Sequence, residues 1–288
     1  MDIPINGKTK LYGIIGNPVD HSLSPAMHNA GFAALAENKV YLPFPVRDIQ
    51  TALAGLKALD IKGVSVTIPH KEAVIPYLDR IDPVAFSIGA VNTIDIRTEG
   101  GEKVLYGSNT DWLGANRALA GKMELLGARV VVLGAGGSAR AIGFGLKEAG
   151  AEVVLCSRTE SKGRALASEL GCPWIPIADV ARLRGDALVN ATSVGMAPGE
   201  DVSPLPAATL KSFRVVMDIV YAPLQTRLLQ EAEQAGCRTV SGLEMLLYQG
   251  VAQFELWTGH AAPIAVMRAS LLAGTGCRKT EDRGQKTE

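Results

Sequence analysis

The chain has 288 residues, 47% of them hydrophobic and 20% charged, with 29 Lys and Arg set against 29 Asp and Glu. That length suffices for two domains with sizeable cores, and the balanced charge provides no global field for nucleic acid or an anionic membrane. No secretory leader and no apolar run of membrane-spanning length is visible, so a cytoplasmic protein is expected.

In chain order, "LYGIIG" reads as an apolar strand that leads through "HSLSPAMHN" into a helix over 25–37. Ser22 and Ser24 stand at the start of that helix. Capping is one reading, with Ser24 as N-cap and Pro25 as the first helical residue. The other is that two hydroxyls at a positive helix end hold a small anion. "VYLPFPV" then precedes a helix over 49–59, and "GVSVTI" precedes a short helix in "PHKEAVIPYLD". "AVNTIDIRTEGGEKVLYG" reads as two strands joined by a Gly-Gly turn. After a helix over 112–125 the pattern restarts as "ARVVVLG", a Gly-rich turn, a helix, "AEVVLCS" and another helix.

This alternation predicts an α/β fold with parallel sheets covered by helices on both faces. The expected organisation is a first domain over 1–112, a second over 113–241, helices over 242–273 packing back on the first, and a loose polar tail over 274–288. The four cysteines, Cys156, Cys172, Cys237 and Cys277, and the four histidines lack metal-ligand spacing. Reduced thiols and no metal are expected.

"VVVLGAGGSARA" carries the most specific signal. Gly134, Gly136 and Ala139 fit G-x-G-x-x-G/A after a strand and at the opening of a helix, where free N–H groups meet a pyrophosphate. An NAD site would usually place a carboxylate at the end of the next strand, roughly 20 residues on. Here "VVLCSRTESK" offers Ser157, Arg158 and Thr159, with Lys162 one turn later. A guanidinium clamps a 2′-phosphate and stacks on adenine, so the cofactor is expected to be NADP. The bland alternative for Arg158 is an ordinary surface residue. "LVNATSVGM" is a further strand end, with Asn190, Thr192 and Ser193 placed to line a cofactor crevice.

The first domain gathers polar residues at strand ends: Thr67 and Lys71 in "SVTIPHK", Asn92 in "AVNT", Asn109 and Asp111 in "GSNTDW". Lys71 reads either as a solvated lysine or as a proton donor, and a cation in a helix's first turn opposes the macrodipole. Asp111 reads either as an N-cap or as the partner of Lys71 in a proton-transfer pair for alcohol/ketone interconversion. Spacing alone leaves their meeting open.

Taken in order, "GNPVDHSLSPAMHN", "GVSVTIPHK", "GAVNT", "NTD", "GAGGSARA", "NATSVGM" and "GLEMLLYQG" resemble the shikimate dehydrogenase family over nearly the whole chain. The resemblance implies NADP-dependent, reversible reduction of 3-dehydroshikimate to shikimate, on the route to chorismate and the aromatic amino acids. It implies that Ser22 and Ser24 bind the shikimate carboxylate, and that Thr67, Asn92, Asp111 and Gln249 hold the ring hydroxyls. Lys71 would be the acid/base, and Tyr221 would border the substrate. On the cofactor side it implies Gly134, Ala135, Gly136, Gly137, Ser138 and Ala139 in the turn, and Ser157, Arg158, Thr159 and Lys162 at the phosphate. Thr192, Ser193, Val220 and Gly242 would complete that side. The partners implied are small molecules, with no nucleic acid or membrane, in a monomer or homodimer.

The chain departs from the family pattern in places. Ser65 stands where members often carry Asn, so a hydrogen bond near the site is lost or rerouted. Ser157 and Lys162 stand where the clamp often has Asn and Arg, and Lys binds phosphate as a point charge rather than a fork. His70 replaces a residue that is often apolar, and is expected to start a helix without a catalytic role. Rival readings are a quinate/shikimate dehydrogenase using NAD, a non-catalytic NADP-binding regulator, and a methylene-tetrahydrofolate-type dehydrogenase. The last has no need of a carboxylate-binding serine pair.

Overall fold

The computed structural model describes residues 5–284, with side chains through 275. The chain divides into two compact units: one runs to Thr110 and resumes at Gly250, and the other is Asp111–Gln249. The limits expected from the sequence are 113 and 242. The later one falls inside a helix, where no composition change marks the crossing.

The first unit is built from β1 (Lys10–Gly16), α1 (Ser24–Ala34), β2 (Lys39–Pro45), α2 (Ile49–Ala58), β3 (Gly63–Val66), α3 (His70–Ala73), β4 (Arg80–Ile81), α4 (Pro83–Ile88), β5 (Thr93–Glu99) and β6 (Glu102–Ser108). Its sheet has the order β2-β1-β3-β5-β6-β4. β1 pairs in parallel with β2 and β3, and β5 runs antiparallel to β3 and β6. Two prolines in β2, Pro43 and Pro45, are tolerated because this is an edge strand that owes no ladder donors on its outer side. β5 and β6 are joined at Gly100 and Gly101, both at positive φ, as a hairpin turn requires. Ile15, Val64, Val66, Ile94 and Leu105 close the core on one side of the sheet.

The second unit holds α5 (Asp111–Ala120), β7 (Arg129–Leu133), α6 (Gly137–Glu148), β8 (Glu152–Ser157), α7 (Glu160–Leu170), β9 (Trp174–Pro176), β10 (Ala187–Asn190), α8 (Ala207–Leu210), β11 (Val215–Asp218), α9 (Arg227–Gln234) and β12 (Arg238–Val240). Its strands are all parallel, in the order β12-β11-β10-β7-β8-β9. They are near-continuous apolar runs because helices cover both faces. Val130 and Val132 face one core, and Val131 and Leu133 face the other. The α/β class is therefore as expected. The strand order reverses between β7 and β10, and such a switch point opens a crevice at the strands' carboxyl ends.

α10 (Gly242–Thr258) crosses from the second unit to the first, and α11 (Ile264–Gly284) follows. α11 packs on α1: the hydroxyl of Ser270 donates to Ala26 O at 2.9 Å. α11 runs on to Gly284, across part of the segment expected to be a loose tail, and 285–288 lie outside the described residues. Arg, Lys and Glu are good helix formers, so a charged run without proline extends an established helix. Charge alone was a poor stop signal.

Candidate functional site

The carboxyl ends of β1, β3 and β6 lie at the same end of the first sheet as the start of β5. The loops and helix starts there carry Ser22, Ser24, Thr67, Lys71 and Asn92. Close backbone approach holds them. A Cβ on Gly16 would lie 2.3 Å from Thr67 Cγ2, so only glycine lets the β1 and β3 ends meet. Asn17 N donates to Ile68 O at 3.0 Å, Thr67 N to Ile15 O at 2.9 Å, and Val91 N to Lys71 O at 2.8 Å. The last bond ties the Lys71 backbone beside the Asn92 segment.

At α1 the structure corrects the capping assignment. Leu23, not Ser24, occupies the N-cap, and no side chain caps the helix. Ser24 is the first helical residue, and its N–H donates to Ser22 Oγ at 3.2 Å. Ser22 thus closes the turn, while Ser24 is 3% exposed. The helix also ends at Ala34 rather than 37.

Lys71 lies in α3, a single turn of four residues. So short a helix has little macrodipole, and the expected conflict between Lys71 and a helix dipole is small. His70 is buried, with Nε2 2.8 Å from Val46 O, and it anchors the loop. Asn92 is fixed more tightly. Its Oδ1 accepts from Thr110 N and Thr93 Oγ1, each at 2.7 Å.

In the second unit, Asp111 opens α5 at 4% exposure, directly after Thr110 in the chain. Gly114 lies one turn further on the same face. A Cβ there would sit 2.9 Å from Gln249 N and Cβ and 2.8 Å from Met245 O, so glycine lets α5 press against the Gln249 turn of α10. Gln249 donates to Leu246 O at 2.9 Å. Tyr221 is partly exposed after β11.

The Gly-rich turn sits at the switch point. Gly134 has φ +119° and would bring a Cβ to 3.0 Å from Ala191 O, so no L side chain fits. A Cβ on Gly136 would meet nothing within 4 Å, which leaves that flank open. Gly136 is the N-cap of α6 and makes no side-chain cap, so the amides of Gly137, Ser138 and Ala139 have no side-chain acceptor from that position. Ala139 is fully buried against β7. Gly242 would place a Cβ 2.3 Å from Ile219 O, holding the start of α10 on the segment that carries Val220.

Arg158, Thr159 and Lys162 are exposed beyond β8, and Ser157 is not. The Ser157 hydroxyl accepts from Trp174 Nε1 and donates to Thr159 O, so it points into the unit. Thr192 is partly exposed and Ser193 exposed, whereas Asn190 is fully buried. Asn190 receives Thr192 N–H and donates to Asp218 Oδ1, so it braces the crevice wall rather than lining it.

Two side chains escaped the sequence reading. Gln253 lies four residues after Gln249 on α10, a spacing that puts both on one helix face and was a usable signal. Trp174 had no such marker, because its partner Ser157 comes from another strand.

Residues 14–94 match the family model for a shikimate dehydrogenase substrate binding domain, and residues 242–272 that for a shikimate 5′-dehydrogenase C-terminal domain. The NADP(+) shikimate dehydrogenase of Moorella thermoacetica is 47% identical, with 95% of this chain and 96% of the relative covered. That of Thermococcus kodakarensis is 46% identical, covering 93% and 98%. A crystal structure of the Thermus thermophilus shikimate 5-dehydrogenase with NADP(H) and shikimate superposes with a TM-score of 0.84 at 37% identity, covering 92% of this chain and all of that one.

Proposed function

The chain belongs to the shikimate dehydrogenase family, and from that membership we infer an NADP-dependent oxidoreductase that interconverts 3-dehydroshikimate and shikimate. The observation that carries the reading is the near-full-length similarity to NADP(+) enzymes, combined with a strand end that offers Arg158 and no carboxylate.

The residues fit the dinucleotide. The open flank of Gly136 and the α6 N-terminus suit a pyrophosphate. Arg158 and Lys162 suit the 2′-phosphate, and Thr159 lies between them; Ala135, Thr192, Ser193 and Val220 border the rest. Ser157 serves through the loop it pins rather than by its own hydroxyl. When bound, the reduced nicotinamide supplies the hydride.

Lys71 donates the proton that converts the receiving carbonyl oxygen to a hydroxyl, and takes it back in the oxidative direction. Asp111 orients the ammonium and that oxygen. Thr67, Asn92 and Gln249 hold the ring hydroxyls, with Tyr221 at the border. Ser22 and Ser24 hold the carboxylate, Ser24 at the first turn of α1. The first unit is the substrate domain and the second the NADP domain. The enzyme works in the cytoplasm as a monomer or homodimer and needs no nucleic acid.

Steady-state kinetics with shikimate and quinate, each with NADP+ and NAD+, tests the reading. Shikimate with NADP+ is expected to give the highest kcat/KM. Preference for quinate with NAD+ overturns it in favour of the broader dehydrogenase.

A further inference from the structure

We propose that Gln253 is a positioning residue, which acts through Thr93 to fix the amide of Asn92 in the one orientation that presents a donor to the substrate. The inference rests on Asn92 as a substrate contact and adds how that contact is set.

The geometry is a single-sense chain of hydrogen bonds across four elements. Tyr41 OH, on β2, donates to Ser65 Oγ, on β3, at 2.6 Å. Ser65 Oγ donates to Gln253 Oε1, on α10, at 2.8 Å. Gln253 Nε2 donates to Thr93 Oγ1, on β5, at 2.8 Å and to Asn92 O at 3.2 Å. Thr93 Oγ1 donates to Asn92 Oδ1 at 2.7 Å. Tyr41, Gln253 and Thr93 have no exposed surface, and Ser65 and Asn92 have 6% and 2%.

The directions follow from the two ends. A backbone carbonyl only accepts, so the side of Gln253 that faces Asn92 O must be its NH2. Its oxygen then faces Ser65 and must receive the Ser65 proton, which obliges Ser65 to accept from Tyr41. Thr93 spends a lone pair on Gln253, so its own proton goes to Asn92. At the other end, Thr110 N–H only donates, and it also meets Asn92 Oδ1. The Asn92 oxygen is therefore claimed from two sides, and Nδ2, which also donates to Thr110 Oγ1 at 3.0 Å, is the atom with which Asn92 addresses a ring oxygen. A hydroxyl at position 65 cannot set an amide by itself. The amide from α10 does so, which is where the hydrogen bond expected near Ser65 has gone.

The test compares Gln253→Leu, Thr93→Val, Thr93→Ser and Asn92→Ala, and each of the first two combined with Asn92→Ala. Gln253→Leu leaves several polar groups buried without partners; Thr93→Val removes one link at nearly constant shape and serves if the first variant does not fold. Thr93→Val is expected to raise KM for shikimate about tenfold, the scale of one buried hydrogen bond, with KM for NADP+ unchanged. Thr93→Ser should restore the wild-type value. In the Asn92→Ala background, loss of Thr93 or Gln253 should add nothing to KM for shikimate. Additive effects, or equal rises in both Michaelis constants, overturn the positioning role and leave Asn92 as a substrate residue. If Asn92→Ala alone leaves KM for shikimate unchanged, the substrate assignment of Asn92 falls, and the positioning role with it.

Discussion

Trp174 donates its indole N–H to Ser157 Oγ at 3.0 Å, and that hydroxyl in turn donates to Thr159 O at 3.2 Å. The pair turns the end of β8 into a fixed support for the exposed Arg158. Trp174→Phe removes the donor and keeps a ring under Arg164, whose guanidinium lies 4.5 Å from the indole centroid. The expected cost is about 1 kcal/mol of stability in urea, with a few-fold rise in KM for NADP+. An unchanged KM for NADP+ separates the bond from cofactor binding.

Two glycines near that support should respond in opposite ways. A Cβ on Gly163 would fall 2.1 Å from Ser157 Oγ and 2.2 Å from Trp174 Nε1. Gly163→Ala is therefore expected to lower stability by about 1–3 kcal/mol through overpacking. A Cβ on Gly136 would touch nothing, so Gly136→Ala should leave the melting temperature unchanged while it weakens NADP+ binding by filling the flank offered to the pyrophosphate. Calorimetric titration and thermal melts of both variants check the contrast. A destabilised Gly136→Ala would mean that the turn, not the ligand, needs the space.

The proton-transfer assignment has its own signature. Lys71→Ala and Asp111→Ala are each expected to lower kcat by about 10²–10⁴, with an unchanged far-ultraviolet circular dichroism spectrum. Turnover near wild type in either variant removes that residue from the chemistry.

Ser22 and Ser24 separate two roles that the sequence leaves tangled. Ser22 Oγ receives the Ser24 N–H, whereas no capping bond is made by Ser24. Ser22→Ala should cost both KM for shikimate and some stability, and Ser24→Ala should raise KM for shikimate alone. If neither variant changes that constant, the pair only shapes the start of α1.

Much of this architecture is legible in the sequence for a physical reason. Parallel strands buried on both faces must be apolar throughout, so "RVVVL" and "EVVLC" stand out, and the glycines after β7 announce the turn that α6 requires. Helix limits are less legible. Ser24 has the chemistry of an N-cap, yet it is already the first helical residue, and its N–H goes to Ser22 Oγ in the preceding turn. The charged end of α11 contains no proline, and its Arg, Lys and Glu are good helix formers, so polarity there does not mark a helix end. Least legible of all is the setting of Asn92, since Gln253 reaches Thr93 and Ser65 from 160 and 188 residues away in the chain. No local pattern records such a bond.

Acid should act on the two units with opposite signs. His28, in the first unit, is fully buried; among the described residues neither ring nitrogen has a well-formed hydrogen bond, and the nearby Gln253 side chain opposes the effect of burial only in part. Burial lowers its pKa to about 3 from 6.5. As pH falls below 6.5 the unfolded chain takes up a proton that the folded unit refuses. The stability present above 6.5 is therefore lost progressively toward pH 3, at up to about 1.4 kcal/mol per pH unit. Asp218, in the second unit, accepts from Asn190 Nδ2, Val220 N and Thr226 Oγ1, but burial outweighs these bonds and raises its pKa to about 6 from 3.8. There the folded unit holds the proton more tightly. The contribution is full below 3.8 and is lost as pH rises through 6. Hydrogen exchange followed separately in each unit between these limits should show the first losing protection on acidification and the second gaining it. His28→Phe should flatten the first trend and Asp218→Asn the second. Parallel trends in both units, surviving either substitution, would mean that other groups govern the acid response.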